Sequence, residues 1–106
     1  MENMINDKVN KYGWSYVCRE LPLSEDFIRN NADKVDWVAV SANQVLSEGF
    51  IREFKDSVEW GNISDCQQLS EEFMNEFSDY IVWDIIAMRR DLDPRMKERL
   101  SHYWKL

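Results

Sequence analysis

The chain has 106 residues, 44% hydrophobic and 13% aromatic, with a formal net charge of −7 and a sequence pI near 4.6. This length bounds one domain with a modest core, and the apolar content is that of a globular chain and not of a disordered one. Only three Gly and two Pro argue against a turn-rich all-β fold, and the acidic balance argues against nucleic acid or an anionic membrane as a direct partner.

Residues 1–13 form an N-terminal lead, expected to cap the first repeat. Met4, Ile5 and Val9 suit one apolar face of a short helix, which Tyr12-Gly13 then breaks. Met1-Glu2-Asn3 has neither the basic nor the apolar region of a signal peptide. The most apolar run, Tyr80 to Met88, is interrupted by Asp84 and is too short to span a bilayer. Cys18 and Cys66 make no disulfide framework and are expected to be reduced thiols. These features lead to the expectation of a soluble, cytoplasmic protein.

From residue 14 the chain is periodic. Trp14, Trp37, Trp60 and Trp83 are each 23 residues apart. The same columns return behind each of them: Val17, Val40, Ile63 and Ile86; then the small Cys18, Ser41, Ser64 and Ala87; then Leu23, Leu46, Leu69 and Leu92. A fixed period of this kind is the signature of a repeat architecture. The repeats are 14–36, 37–59 and 60–82, with a divergent unit and C-terminal cap helix in 83–106.

Two helices are predicted in each unit. The first begins at the Trp; in 37–59 it carries Trp37, Val40, Ser41 and Gln44 at i, i+3, i+4 and i+7, one helical stripe, with Asp36 placed to cap it. The second begins after Ser24, Ser47 or Ser70, each followed by Glu25, Glu48 or Glu71. Ser is a favoured N-cap, and a carboxylate suits the positive end of the helix dipole. Phe50, Ile51, Phe54 and Val58, like Phe73, Met74, Phe77 and Ile81, then fall on one face. A β-α unit with Trp37–Ser41 as a strand is the competing reading, and the sequence Trp60-Gly61-Asn62 makes a poor strand. The expected fold is all-α: a short α-solenoid of about four 23-residue helix-turn-helix repeats with atypical end caps. In the last unit Asp93-Pro94 is a helix start, with Asp as N-cap and Pro in the first turn.

Charge follows the same period. Residues 14–82 hold fourteen acids against five bases, whereas 83–106 hold four acids and six bases. Asp33, Asp56 and Asp79 share a column, Glu25, Glu48 and Glu71 another, and Glu53 and Glu76 a third. Stacking would turn each column into a row of carboxylates roughly 10 Å apart, a spacing at which like charges in salt repel mildly. For the Ser-Glu column, helix capping alone is an adequate account. The Asp column, read as lying late in a helix, is opposed by the dipole and so invites another explanation.

Catalytic and metal-binding patterns are missing. His102 stands alone, and its expected role is a contact with the carbonyl end of the last helix. There is no Cys-x-x-Cys, no Cys/His zinc spacing and no Gly-rich phosphate loop, since Gly13, Gly49 and Gly61 are isolated. The expectation is no enzyme, no cofactor and no metal.

The unit reads Trp37, Val40, Ser41, Gln44, Leu46, Ser47, Glu48, Phe50, Ile51, Arg52, Glu53, Phe54, Asp56 and Val58. It resembles a short tandem repeat of giant-virus and large-bacteriophage proteins. The resemblance covers most of 14–82 and implies a viral or phage origin and an interaction role. The functional expectation is a non-enzymatic protein-binding module, an inhibitor of anti-CRISPR or anti-restriction type that mimics nucleic acid against a basic surface of a host complex. Asp33, Asp56, Asp79, Glu48, Glu53, Glu71 and Glu76 are the candidate partner-binding residues. The alternative is a structural or assembly module that forms homo-oligomers.

Overall fold

The computed structural model describes residues 2–105. The order is α1 (Glu2–Tyr12), α2 (Trp14–Glu20), α3 (Glu25–Asn30), α4 (Trp37–Asn43), α5 (Glu48–Glu53), α6 (Trp60–Cys66), α7 (Glu71–Glu76), α8 (Trp83–Met88) and α9 (Pro94–Leu100), closed by a 3-10 turn, Ser101–Tyr103. No strand occurs among the described residues, so the β-α alternative falls. α1 packs on α2, and the Trp-led helices pile on one another, α2 on α4, α4 on α6 and α6 on α8. The result is an elongated short solenoid of 50 × 23 × 19 Å.

Helices of six or seven residues are unstable alone, because nucleation is costly and few bonds repay it. A side chain therefore caps the N-terminus of α3, α4, α5, α6, α7 and α9. Asp36 accepts from the amides of Val38 and Ala39, and Glu59 does the same for Gly61 and Asn62. Ser24, Ser47 and Ser70 each accept from the amide three residues on, as their position predicts. Asp93 accepts from Arg95 N with Pro94 in the first turn. Gly13 has φ +90°, a left-handed conformation that suits glycine at the junction between α1 and α2.

The second helices are shorter than the apolar pattern suggests. α5 ends at Glu53, and Phe54 leaves the helical region at φ −109°, ψ 31°. Its carbonyl then accepts from Ser57 and Val58, forming a turn that brings Val58 back into the core. The spacing of Phe54 and Val58 mimics a helix because a turn of this kind keeps the same side inward. α1 also differs in detail: Ile5 and Val9 pack against the core, while Met4 is exposed.

The core runs the length of the stack, through Val17, Ile28, Val40, Phe50, Ile51, Ile63, Phe73, Met74, Ile86 and Leu100. The tryptophans flank this line and are only partly buried. Trp37 packs on Phe50 and Phe54, and Trp60 on Phe73 and Phe77. The indole N–H of Trp37, Trp60 and Trp83 donates to the carbonyl five residues before it, in each case in the preceding turn. Each indole thus pins the turn that leads into its own helix.

Candidate functional site

The layers are joined by side chains that reach from one repeat to the next. Gln44 donates to the carbonyls of Cys18 and Leu21, and its side-chain oxygen accepts from Leu23 N. Gln67 repeats this one layer on, with the carbonyls of Ser41 and Gln44 and the amide of Leu46. In the fourth layer Arg89 takes over, donating to the carbonyls of Ser64 and Gln67 while Asp91 neutralises it. Lys97 then donates to the Arg89 carbonyl. Ser41 and Ser64 form a second ladder, accepting from Glu59 N and Val82 N.

The seven candidate acids divide into two groups. Glu48 reaches the next layer and accepts from both the amide and the hydroxyl of Ser70, as Glu25 does from Ser47. Glu53 is gripped by Arg29 through two bonds of 2.9 and 3.0 Å. Glu76 is gripped by Arg52 at 3.0 and 2.8 Å. Glu71 pairs with Arg99 of α9 at 2.8 Å. The arginine hydrogen bonds hold the carboxyls of Glu53, Glu71 and Glu76 below the usual carboxylate range. Four of the seven candidates thus serve the stack itself.

Asp33, Asp56 and Asp79 differ. They lie in the turns that follow α3, α5 and α7, beyond the helix ends, so the dipole no longer opposes them. All three are exposed, and none makes a side-chain hydrogen bond or ion pair among the described residues. The structure keeps them in register, one per layer, on the edge that feeds the Trp-led helices.

Sequence reasoning missed two features. Gln44 and Gln67 are visible as a column, but along the chain they look like part of a helix stripe; only the packing of layers gives them carbonyls to bind. Arg89 stands one residue out of period because α8 is a residue shorter than α2, α4 and α6, so no alignment of the repeats would pair it with Gln67.

Other chemistry is quiet. Burial pushes the Cys18 thiol up, and burial with the nearby Asp65 does the same to Cys66, so neither is a ready nucleophile near neutral pH. His102 Nδ1 lies 3.1 Å from the Arg99 carbonyl, in the 3-10 turn rather than in α9 itself. An open groove along the loops is lined by Gln44, Gln67 and Arg89, whose polar atoms are already used within the ladder. Among the described residues no buried side-chain N or O lacks a partner, and no helix is long and apolar enough to cross a membrane.

No protein-family model, curated protein or solved structure matches the chain. The tandem helical repeat therefore rests on the 23-residue period and the stacked helices themselves.

Proposed function

We propose that the protein is a non-enzymatic binding module whose acidic edge takes a basic surface on a partner protein. The observation that carries this is the contrast between columns: Glu25/Glu48/Glu71 and Glu53/Glu76 find partners within the stack, whereas Asp33, Asp56 and Asp79 have none among the described residues. A row of unpaired carboxylates about one layer apart gains when a set of Lys or Arg side chains neutralises it. A basic surface that handles nucleic acid is the natural target, since it is already built to meet spaced negative charge. Inhibition of such a complex by occupation of its phosphate-binding surface, in the manner of an anti-CRISPR or anti-restriction protein of phage or viral origin, belongs to the same reading. That extension draws on the charge and on the resemblance of the repeat.

The test is co-purification from candidate host lysates followed by titration of salt. Binding should weaken steeply as salt rises, and the triple variant D33N/D56N/D79N should bind at least roughly tenfold more weakly than the parent, about 1.4 kcal/mol. Binding that ignores both changes would overturn the reading. The assembly alternative draws on Arg90 and Arg95, exposed cations with no ion pair among the described residues that stand at the opposite end from α1. A strictly monomeric mass by light scattering at high concentration ends that alternative.

A further inference from the structure

The fourth layer departs from the period in a way that frees a cation. Gln44, Gln67 and Arg90 share a column, each 23 residues apart. Because α8 is a residue shorter than α6, Arg89 makes the ladder in that layer instead. Its guanidinium is spent on the carbonyls of Ser64 and Gln67 and on Asp91. Arg90 is left exposed, with no side-chain hydrogen bond or ion pair among the described residues. It lines an open cavity of about 420 Å³ between the end of α8 and the C-terminal cap. Leu92, Pro94 and Trp104 supply the apolar part of the lining. Trp104 is half-buried and packs beside Trp83. Its indole N–H, unlike those of Trp37, Trp60 and Trp83, makes no hydrogen bond among the described residues.

Charge decides what the cavity takes. Arg89, Arg90, Lys97 and Lys105 line it, and Glu98 is the one acid in the lining. Asp91, 2.7 Å from Arg89, is a second acid beside it, while Asp93 does not line it and accepts from the Arg95 amide. Asp91 balances Arg89, and Glu98, 3.4 Å from Lys105, balances that lysine. Arg90 and Lys97 remain, two uncompensated positive charges on a chain whose net charge is −7. Lys97 is half-buried and held in place by its 2.8 Å bond to the Arg89 carbonyl. An ammonium has three N–H groups, so that bond leaves two to donate. A polar outer face is ordinary for the terminal cap of a solenoid, but scattered charges serve that purpose. Here two unbalanced cations and an indole line one space, and its volume is in the range of small-ligand sites, roughly 300–1,000 Å³. A phosphate monoester carries about −1.5 to −2 near neutral pH, which matches the two cations better than a carboxylate does. A guanidinium fork takes two phosphate oxygens at once.

We propose that this C-terminal cavity binds a small phosphate monoester with a flat, apolar body, the phosphate on Arg90 and Lys97 and the body against Trp104. The proposal does not depend on the acidic-edge reading. The probe is 1-naphthyl phosphate, titrated into the isotope-labelled protein, with 1-naphthol, inorganic phosphate and 1-naphthoate as references. The naphthyl phosphate should perturb the amides of Ala87, Arg90, Leu92, Lys97 and Ser101 and the indole N–H of Trp104. It should bind roughly tenfold or more tightly than each reference, and more weakly as salt rises. R90Q alters an exposed side chain without a partner, so the fold should stay intact by circular dichroism while binding weakens severalfold. R95Q removes an exposed cation of α9 that does not line the cavity, and it should bind as the parent does. D33N/D56N/D79N should also leave binding unchanged. Naphthol or inorganic phosphate binding as well as the naphthyl phosphate overturns the proposal, because one half of the site would then be idle. Naphthoate binding equally well overturns the assignment to phosphate. Equal losses in R90Q and R95Q overturn it too, since they would reflect the general charge of the cap. None of these results bears on whether a basic partner takes the Asp edge.

Discussion

At the scale of single residues, the glutamines hold the layers in register. Gln67 is 4% exposed and satisfies three backbone groups that would otherwise be buried without partners. Leaving such groups unpaired costs more than the bonds contribute, because each has lost its water. Gln67→Ala is expected to destabilise the fold by about 3 kcal/mol in urea or guanidinium unfolding. Gln68→Ala, at the next, exposed position with no side-chain bond, should change stability by less than ~0.5 kcal/mol. Equal effects at the two sites would remove the glutamine ladder from its place in the energetics. The same logic explains Arg89: the last layer needs donors to the carbonyls of Ser64 and Gln67, and a guanidinium reaching from one position earlier supplies them.

At the scale of elements, the short helices depend on their caps and on ionic links between layers. Ser70 both caps α7 and donates to Glu48, so Ser70→Ala should cost about 1 kcal/mol or somewhat more in thermal unfolding. The carboxyls of Asp36, Glu53, Glu71, Glu76 and Asp91 are all lowered, chiefly by side-chain hydrogen bonds, from Ser15 for Asp36 and from arginines for the other four. A lowered folded-state value means the unfolded chain takes up protons first as the medium becomes acid. The stabilisation is therefore complete above the ordinary carboxylate value, roughly pH 4 to 5, and is lost as pH falls through the lowered values. The melting temperature should be level near neutrality and should drop below about pH 4. R29M/R52M should flatten part of that drop, and a drop of unchanged size in this variant would place the acid sensitivity elsewhere. Because these pairs are largely exposed, salt should reduce their contribution.

At the scale of the whole molecule, each layer touches its neighbours and little else, so stability is close to a sum over layers and their interfaces. Removal of residues 37–59 joins Asp36 to Trp60, which keeps an acidic N-cap in front of a Trp-led helix and sets Gln67 against the carbonyls of Cys18 and Leu21. The shortened chain should still fold cooperatively, with a helical spectrum and a denaturant slope smaller by roughly a quarter, in proportion to the surface buried. Collapse to an unfolded spectrum would show that the layers are not interchangeable.

Much of this was legible in the order of residues. The 23-residue period fixes the number of layers, the Ser-Glu and Asp-Pro pairs fix where helices start, and the recurring small residue behind Val40 or Ile63 marks the buried side. These are local or periodic signals, carried by backbone capping and by the geometry of a helix, and they need no knowledge of neighbours. Which acids are free was decided only by stacking. Glu48, Glu53, Glu71 and Glu76 look equivalent to Asp33, Asp56 and Asp79 along the chain, and they differ because a serine or an arginine from another layer comes within hydrogen-bond reach of the first group alone. The role of Arg89 was likewise settled in three dimensions, since a side chain's partner depends on what packs beside it and not on its own place in the repeat.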